Sequence, residues 1–291
     1  MISHLWMILG FNGGVDLKRI NVKGPCEIKP NLSANTLFHF MSEARFLYKA
    51  LEVKALFPRY CRENITYLNL QVNDHRLIEV AYPEKCFCDI PLHKVCGHTK
   101  KYGAFGIGFR KNWGIEKGLQ PIQYVNSNSN LIKDFQKVFR KATEVTDENE
   151  IAQFLSNYLV AYMLYIKPLT GENQNRVTKD IENIYLTDEF EWRYVPDLEV
   201  NEMDSILFDN DICKKDRNQI LLIDKYNDAL EKLESTWLKF EYSDIKYITV
   251  DNYSDREELI NAIKNFDGLD EKEELILISK IIVISEAEED F

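Results

Sequence analysis

The stretch CFCDIPLHKVCGHTKKYGAFGIGFRKNWGIEKGLQPIQYV, residues 86–125, organises the rest of the chain. It holds a short apolar strand, a glycine-dense segment and a second apolar strand in one run. Residues 103–118 alone carry five of the 12 glycines. Glycine is retained where φ must be positive or where another group approaches the backbone closely. We therefore interpret this stretch as the floor of a pocket.

Outward from this stretch, strand and helix patterns alternate without the regularity of βαβ units. The strands are predicted at 33–40, 86–90, 105–109, 121–125 and 191–195, and the helices at 42–53, 131–141, 147–165 and 255–265. Ser42 is the expected cap of the first helix, the helix at 147–165 is expected to be mostly buried, and 167–180 to be a mobile loop. The fold class that follows is α+β, with a mixed central sheet and flanking helices. We expect an N-terminal arm at residues 1–31 and one α+β domain at 32–291, with an acidic C-terminal tail.

Composition limits the function. The chain has 291 residues, a net charge of -11 and a sequence pI of about 5.1, which argues against a general binder of nucleic acid or membrane surfaces. Residues 94–117 are locally basic, which suits either a phosphate-bearing small molecule or a polynucleotide end, or a solvated face. Six scattered cysteines, no secretory signal and no membrane-length apolar run predict a cytoplasmic protein with reduced thiols.

A zinc site is the first alternative for the cysteine-rich window. Cys86, Cys88, His93, Cys96 and His98 crowd together, but two cysteines two residues apart on a strand are too stretched for the usual chelating turn. We therefore predict no metal. GAFGIG at 103–108 lacks a strand before it and a helix opening at its end, which excludes a dinucleotide fingerprint.

The segment EFEWR, residues 189–193, carries a second constellation. Glu189, Glu191 and Arg193 alternate and so project to one face of a strand. Two carboxylates and an arginine in line indicate either a cleft or a solvated strand face. His39, within LFHF, is either a satisfied core histidine or a ligand-binding one.

Several motifs, in order, resemble the AbiGi family of abortive phage-resistance proteins. They are SANTLFHF (33–40), PRYC (58–61), CFCDIPL (86–92), KYGAFGIGFRKNWGIEKGLQPIQYVN (101–126), EFEWRYVP (189–196) and LKFEYSDIKYITV (238–250). The resemblance covers roughly residues 33–265. It implies a role in bacterial defence, as the antitoxin-type partner in a two-gene abortive-infection system.

A looser resemblance bears on chemistry. A first strand with L-x-H-x, a following helix and a late E-x-E-W-R strand are similar to ADP-ribosyltransferase-like folds. The resemblance implies that His39 binds NAD, that Tyr102 stacks on the nicotinamide, that Glu191 is the catalytic carboxylate and that Arg59 or Arg193 holds the pyrophosphate.

The chain departs from that pattern after its histidine, where Phe40 and Met41 leave no hydroxyl at the position of the usual threonine. Two functions stay open at this point. One is an NAD-using enzyme in phage defence that modifies a nucleic acid or a protein, or hydrolyses NAD. The other is a non-catalytic antitoxin that binds and restrains a cognate toxin or another defence-system protein.

Overall fold

The computed structural model describes residues 34–72, 75–144, 150–198, 203–208 and 217–290. The predicted N-terminal arm at residues 1–31 lies outside the described residues. None of the described helices is long and apolar enough to cross a membrane.

The strands, in chain order, are β1 Thr36–Met41, β2 Ala55–Leu56, β3 Arg59–Asn64, β4 Gln71–Val72, β5 His75–Arg76, β6 Glu79–Cys88, β7 Phe105–Arg110, β8 Gln120–Pro121, β9 Gln123–Val125, β10 Ile166–Pro168, β11 Thr170–Gln174, β12 Ile181–Tyr185, β13 Glu191–Tyr194, β14 Leu207–Phe208, β15 Leu238–Lys239, β16 Ile245–Val250 and β17 Ile281–Val283. The helices are α1 Ala44–Val53, α2 Val95–Tyr102, α3 Lys111–Glu116, α4 Asn130–Glu144, α5 Glu150–Met163, α6 Arg217–Leu230, α7 Tyr253–Ile263, α8 Glu271–Ile278 and α9 Ile284–Asp290. The mixture confirms the predicted α+β class.

The main sheet of the described residues has the order β17-β16-β7-β1-β6-β13-β8. Its pairings are antiparallel, except that β16 and β17 run parallel. Strand β6 is its longest member: its first half pairs with β3 and β14, and its second half pairs with β1 and β13. It therefore brings residues from four other strands to one place.

The glycine-dense segment 103–118 contains β7, which lies between β1 and β16, and α3. A Cβ on Gly106 would lie 2.7 Å from Thr249 Oγ1 and 2.8 Å from Phe40 Cδ1, and one on Gly108 would lie 2.7 Å from Phe38 Cε1. No larger side chain fits at either position without a shift of its neighbours. Gly106 and Gly108 thus serve the packing of aromatic rings on the sheet. The glycines of the stretch 86–125 do not line the cavity described below, whereas Cys86, Phe87, Cys88, His98 and Tyr102 of the same stretch do.

The predicted burial of α5 is wrong. Ala152, Leu159 and Met163 face the core, whereas Phe154 and Tyr158 are more than half exposed. The helix is apolar around most of its circumference, and that pattern alone does not tell which side packs.

Other local predictions are also corrected. Residues 167–180, predicted as a mobile loop, form β10, β11 and the turn into β12. The polar run at 59–63, for which no strand was predicted, is most of β3. The N-cap of α1 is Glu43 rather than Ser42, and no side chain caps that helix. The sequence of segment 275–284 fits either a helix or a strand, and the structure forms both: the segment contains the end of α8, all of β17 and the first residue of α9.

Candidate functional site

A cavity of about 860 Å³ lies against β6, and the β11–β12 hairpin contributes to its wall. Four of the residues predicted from the sequence line it: His39, Arg59, Tyr102 and Glu191. The fifth, Arg193, lies behind Glu191 and is 1% exposed. The register explains the gathering, because β6 pairs with both β3 and β13.

Arg193 is the centre of a buried group of charges. Its Nε lies 2.9 Å from Glu191 Oε1 and 2.8 Å from Glu84 Oε2, and its Nη2 lies 3.2 Å from Glu63 Oε1. Its Nη1 donates hydrogen bonds to the Tyr82 hydroxyl and to the carbonyl of Leu164. A solvated strand face, the alternative left open for this row, is therefore wrong: Glu191 and Arg193 are core residues.

Lys167 is the second cation of this group. Its Nζ lies 2.6 Å from Glu191 Oε2, 3.5 Å from Glu189 Oε2 and 3.6 Å from Glu63 Oε1. Burial opposes its charge, but the three carboxylates outweigh burial and raise the pKa of Lys167 well above its usual value. We call Glu63, Glu84, Glu189, Glu191, Lys167 and Arg193 the ion-pair cluster.

The pKa values of two carboxylates of the ion-pair cluster, Glu84 and Glu191, are shifted in opposite directions. Burial raises the pKa of Glu191, but Arg193 and Lys167 outweigh burial and lower it to about 2. Burial, with Glu63 and Glu191, raises the pKa of Glu84 to about 7 against the pull of Arg193. Near neutral pH, Glu191 is therefore ionised, whereas Glu84 is present in both its protonated and its ionised form.

Glu189 belongs to the 3₁₀ turn before β13 rather than to the strand itself. Its Oε1 accepts hydrogen bonds from the Tyr102 hydroxyl and from Asn173 Nδ2, the latter at 2.7 Å. Asn173 also donates to the Tyr102 oxygen at 2.9 Å. These contacts tie the end of α2 to β11 and fix the ring of Tyr102 at the cavity.

His39 is buried at the cavity, with its Nδ1 2.8 Å from the carbonyl oxygen of Cys86. Because a carbonyl only accepts, Nδ1 carries the proton and Nε2 is left as the acceptor. Burial, together with Lys85 and Arg176, lowers the pKa of His39 well below its usual value. The imidazole is therefore neutral at pH 7.

Three cations at the cavity belong neither to the ion-pair cluster nor, unlike Arg62 with Glu79, to another ion pair of the described residues. Arg59, Lys85 and Arg176 all line the cavity, and we call them the cation wall. Burial and the two arginines lower the pKa of Lys85 to about 8, against the nearby Cys61 and Cys86. No carboxylate of the described residues forms an ion pair with any of the three.

One group among the described residues has possible metal ligands close together: ligand atoms of Glu84, Cys86 and Glu191 lie within 4.8 Å of one another. The guanidinium of Arg193 already contacts both carboxylates and supplies the positive charge a metal ion would bring. Burial, with Glu191 and Glu84, also raises the pKa of Cys86 well above its usual value, so the sulfur stays a protonated thiol and a poor ligand. The group fits a guanidinium better than a metal ion.

Five charged residues of the cavity were not among those predicted from the sequence: Glu63, Glu84, Lys85, Lys167 and Arg176. A usable signal was present for two of them. Strand β6 reads EVAYPEKCFC, and Glu84 and Lys85 interrupt an otherwise apolar strand, where charged residues are rarely buried unless paired. Arg176 carried no such signal, because the turn that positions it resembles any polar loop.

Comparison with known proteins identifies relatives. A family model described as "Putative abortive phage resistance protein AbiGi, antitoxin" matches residues 54–251. A protein of Lactococcus lactis subsp. cremoris, "Abortive phage resistance protein AbiGi", is 36% identical over 256 residues, which is 81% of this chain and 100% of that protein. No solved structure matches the chain. The similarity to ADP-ribosyltransferase-like folds therefore stays a prediction, whereas the resemblance carried by the motifs is confirmed.

Proposed function

The chain belongs to the AbiGi family of abortive phage resistance proteins, and we propose that it acts in bacterial defence against phage as the antitoxin-type component that restrains a cognate toxin. The observation that carries this proposal is the 36% identity along the full length of the Lactococcus protein. The description of the matched family model includes the word antitoxin. The segment that it matches, residues 54–251, contains the whole ion-pair cluster and the whole cation wall. Both parts of the cavity thus lie in the segment that the family shares.

A growth assay tests the antitoxin role. Each gene adjacent to that of this chain is expressed alone and then together with it, and growth and phage plaquing are measured. We expect one neighbour to arrest growth alone and to be harmless with the chain present. The proposal fails if no neighbour is toxic, or if the chain leaves the toxicity unchanged.

The second candidate is binding of NAD in the cavity, followed by its cleavage or by ADP-ribose transfer. What favours it is that His39, Arg59, Tyr102 and Glu191, assigned to NAD from the resemblance, line one cavity. A volume near 860 Å³ lies within the range of cofactor sites, roughly 300–1,000 Å³. The neutral Nε2 of His39 is an acceptor suited to a ribose hydroxyl.

The ion pairs of Glu191 define what such catalysis requires. A carboxylate stabilises an oxocarbenium-like transition state through its negative charge, and two contacting cations neutralise most of that charge. Glu191 acts in this role only if ligand binding draws Lys167 away from it. Glu189, held by Tyr102 and Asn173, is the alternative carboxylate at the same cavity.

The test measures NAD binding by calorimetry and NAD turnover by product analysis. His39→Asn is the sharper variant, because its amide nitrogen takes the place of Nδ1 and only the Nε2 acceptor is lost. Tyr102→Phe removes a hydroxyl and keeps the ring. We expect His39→Asn to weaken NAD binding about tenfold. The candidate is abandoned if the folded wild-type protein neither binds nor consumes NAD, with and without the toxin.

A further inference from the structure

We infer that the cation wall, formed by Arg59, Lys85 and Arg176, is a binding site for the phosphate or diphosphate group of a small-molecule ligand. The inference uses the same cavity as the second candidate function, but it requires neither NAD nor any bond cleavage. It also assigns a role to Lys85 and Arg176, which neither the family description nor the sequence motifs single out.

The first support is the lack of charge compensation. Lys167 and Arg193, the two cations of the ion-pair cluster, each have carboxylates at ion-pair distance. Lys85 is half-buried, and no carboxylate of the described chain lies within ion-pair distance of it. A partly buried cation without a counter-charge costs free energy, which a bound anion would recover.

The second support is the nature of the neighbours. Cys61 and Cys86 lie near Lys85 and would favour its charge only as thiolates. Burial raises the pKa of Cys61 to about 12, and Cys86 is shifted in the same direction, so both are neutral thiols at pH 7. The nearby charges that remain on this wall are those of Arg59 and Arg176, and they repel Lys85. An anion between the three would turn this repulsion into attraction.

The third support is the way in which Arg176 is held. The turn between β11 and β12 is fixed by an Asn175 side chain that accepts from the backbone nitrogens of residues 177 and 178. The backbone nitrogen of Arg176 donates to Lys101 O at 2.7 Å, and its guanidinium carbon lies 5.7 Å from the centre of the Tyr102 ring. A hairpin anchored to the end of α2 thus presents this arginine at the cavity. Arginine suits phosphate because its planar fork matches two phosphate oxygens.

The carboxylates at the cavity limit the ligand. Glu63, Glu84, Glu189 and Glu191 also line the cavity, and the chain carries a net charge of -11. A long polyanion such as a nucleic acid would meet these carboxylates. The ligand class that fits has a phosphate or diphosphate at one end and a neutral or cationic part, such as a sugar or a base, at the other. Nucleotides and sugar phosphates meet this description.

The experiment is calorimetric titration at low ionic strength with inorganic pyrophosphate, ADP, NAD and adenosine. The variants are Lys85→Met and Arg176→Gln, and Lys117→Met is the charge-matched control, since Lys117 is exposed and does not line the cavity. We expect pyrophosphate and ADP to bind and adenosine not to bind. Each cavity variant should weaken the binding of pyrophosphate and ADP about tenfold, the usual effect of one charge-assisted hydrogen bond, while Lys117→Met leaves it unchanged.

Three outcomes overturn the inference. The wild-type protein binds neither pyrophosphate nor ADP, Lys117→Met weakens their binding as much as the cavity variants do, or both cavity variants bind them as tightly as the wild-type protein. Arg176 is exposed, so Arg176→Gln keeps the test open if Lys85→Met fails to fold. The ligand panel separates this inference from the NAD candidate. If pyrophosphate and ADP bind and NAD does not, the NAD candidate is wrong, and the phosphate site at the cation wall is supported.

Discussion

The two groups of charges at the cavity, the ion-pair cluster and the cation wall, are held under opposite conditions. In the ion-pair cluster, four carboxylates surround Lys167 and Arg193, and the contacts join β3, β6, β10 and β13. In the cation wall, three cations line the cavity, and none of them forms an ion pair with a carboxylate of the described residues. Charged residues at a cavity can therefore have two roles. Charges that neutralise one another hold strands together, whereas charges left without a partner are available to a ligand.

Removal of the central cation of the ion-pair cluster, Arg193, should cause the largest loss of stability. Arg193→Met leaves Glu84 and Glu191 buried without their guanidinium, and we expect the free energy of unfolding to fall by about 4 kcal/mol. Urea denaturation followed by circular dichroism measures the loss. Arg62→Met is the control, because it removes the half-exposed pair with Glu79 and should cost less than about 1 kcal/mol. Similar losses in both variants would show that the cluster is no more structural than a surface pair.

Lys167 provides the next largest effect. Lys167→Met leaves the carboxylates of Glu191, Glu189 and Glu63 with Arg193 as their remaining cation in the cluster, and we expect a loss of about 3 kcal/mol. The matched control is Lys137→Met, whose pair with Asp134 is more than half exposed at both ends and should cost less than about 1 kcal/mol. A loss below 1 kcal/mol for Lys167→Met would mean that Arg193 alone neutralises the cluster.

Much of the site could be predicted because the residues that carry it also carry strong local patterns. The alternation of EFEWR gave a strand with Glu191 and Arg193 on one face, and LFHF gave a buried strand with His39. The structure places both in the main sheet, two strands apart on either side of β6. Local period and residue type were sufficient for these positions.

What could not be predicted depends on long-range pairing. Glu63 and Lys167 reach Glu191 through the register of β3 and the course of β10, and neither leaves a local signal in the sequence. The exposure of Phe154 and Tyr158 on α5 is of the same kind, because a helix that is apolar around most of its circumference does not show which side will pack. Burial of a charge is decided by the partners that the fold supplies, and those partners are distant in sequence.

Glu84 makes the stability contributed by the ion-pair cluster depend on pH. Its pKa in the folded protein is raised to about 7, above that of an unfolded glutamate, so the folded state binds the proton more tightly. This contribution is fully present below about pH 4.5 and is lost as the pH rises towards 7 and beyond. Relative to Glu84→Gln, the wild-type protein should therefore lose about 2 kcal/mol of unfolding free energy between pH 5 and pH 8. Parallel stability profiles for the two proteins would contradict a raised pKa.

Lys85 supplies the smallest effect and the most direct contrast with Lys167. Both are lysines at one cavity, yet Lys167 has three carboxylates within 4 Å and Lys85 has none among the described residues. In the absence of ligand, Lys85→Met removes an uncompensated charge, and we expect the free energy of unfolding to stay the same or to rise by at most about 1 kcal/mol. Denaturation of the two methionine variants, side by side in phosphate-free buffer, measures the difference. A loss for Lys85→Met comparable to that for Lys167→Met would mean that Lys85 is a structural cation as well, and would contradict the distinction between the ion-pair cluster and the cation wall.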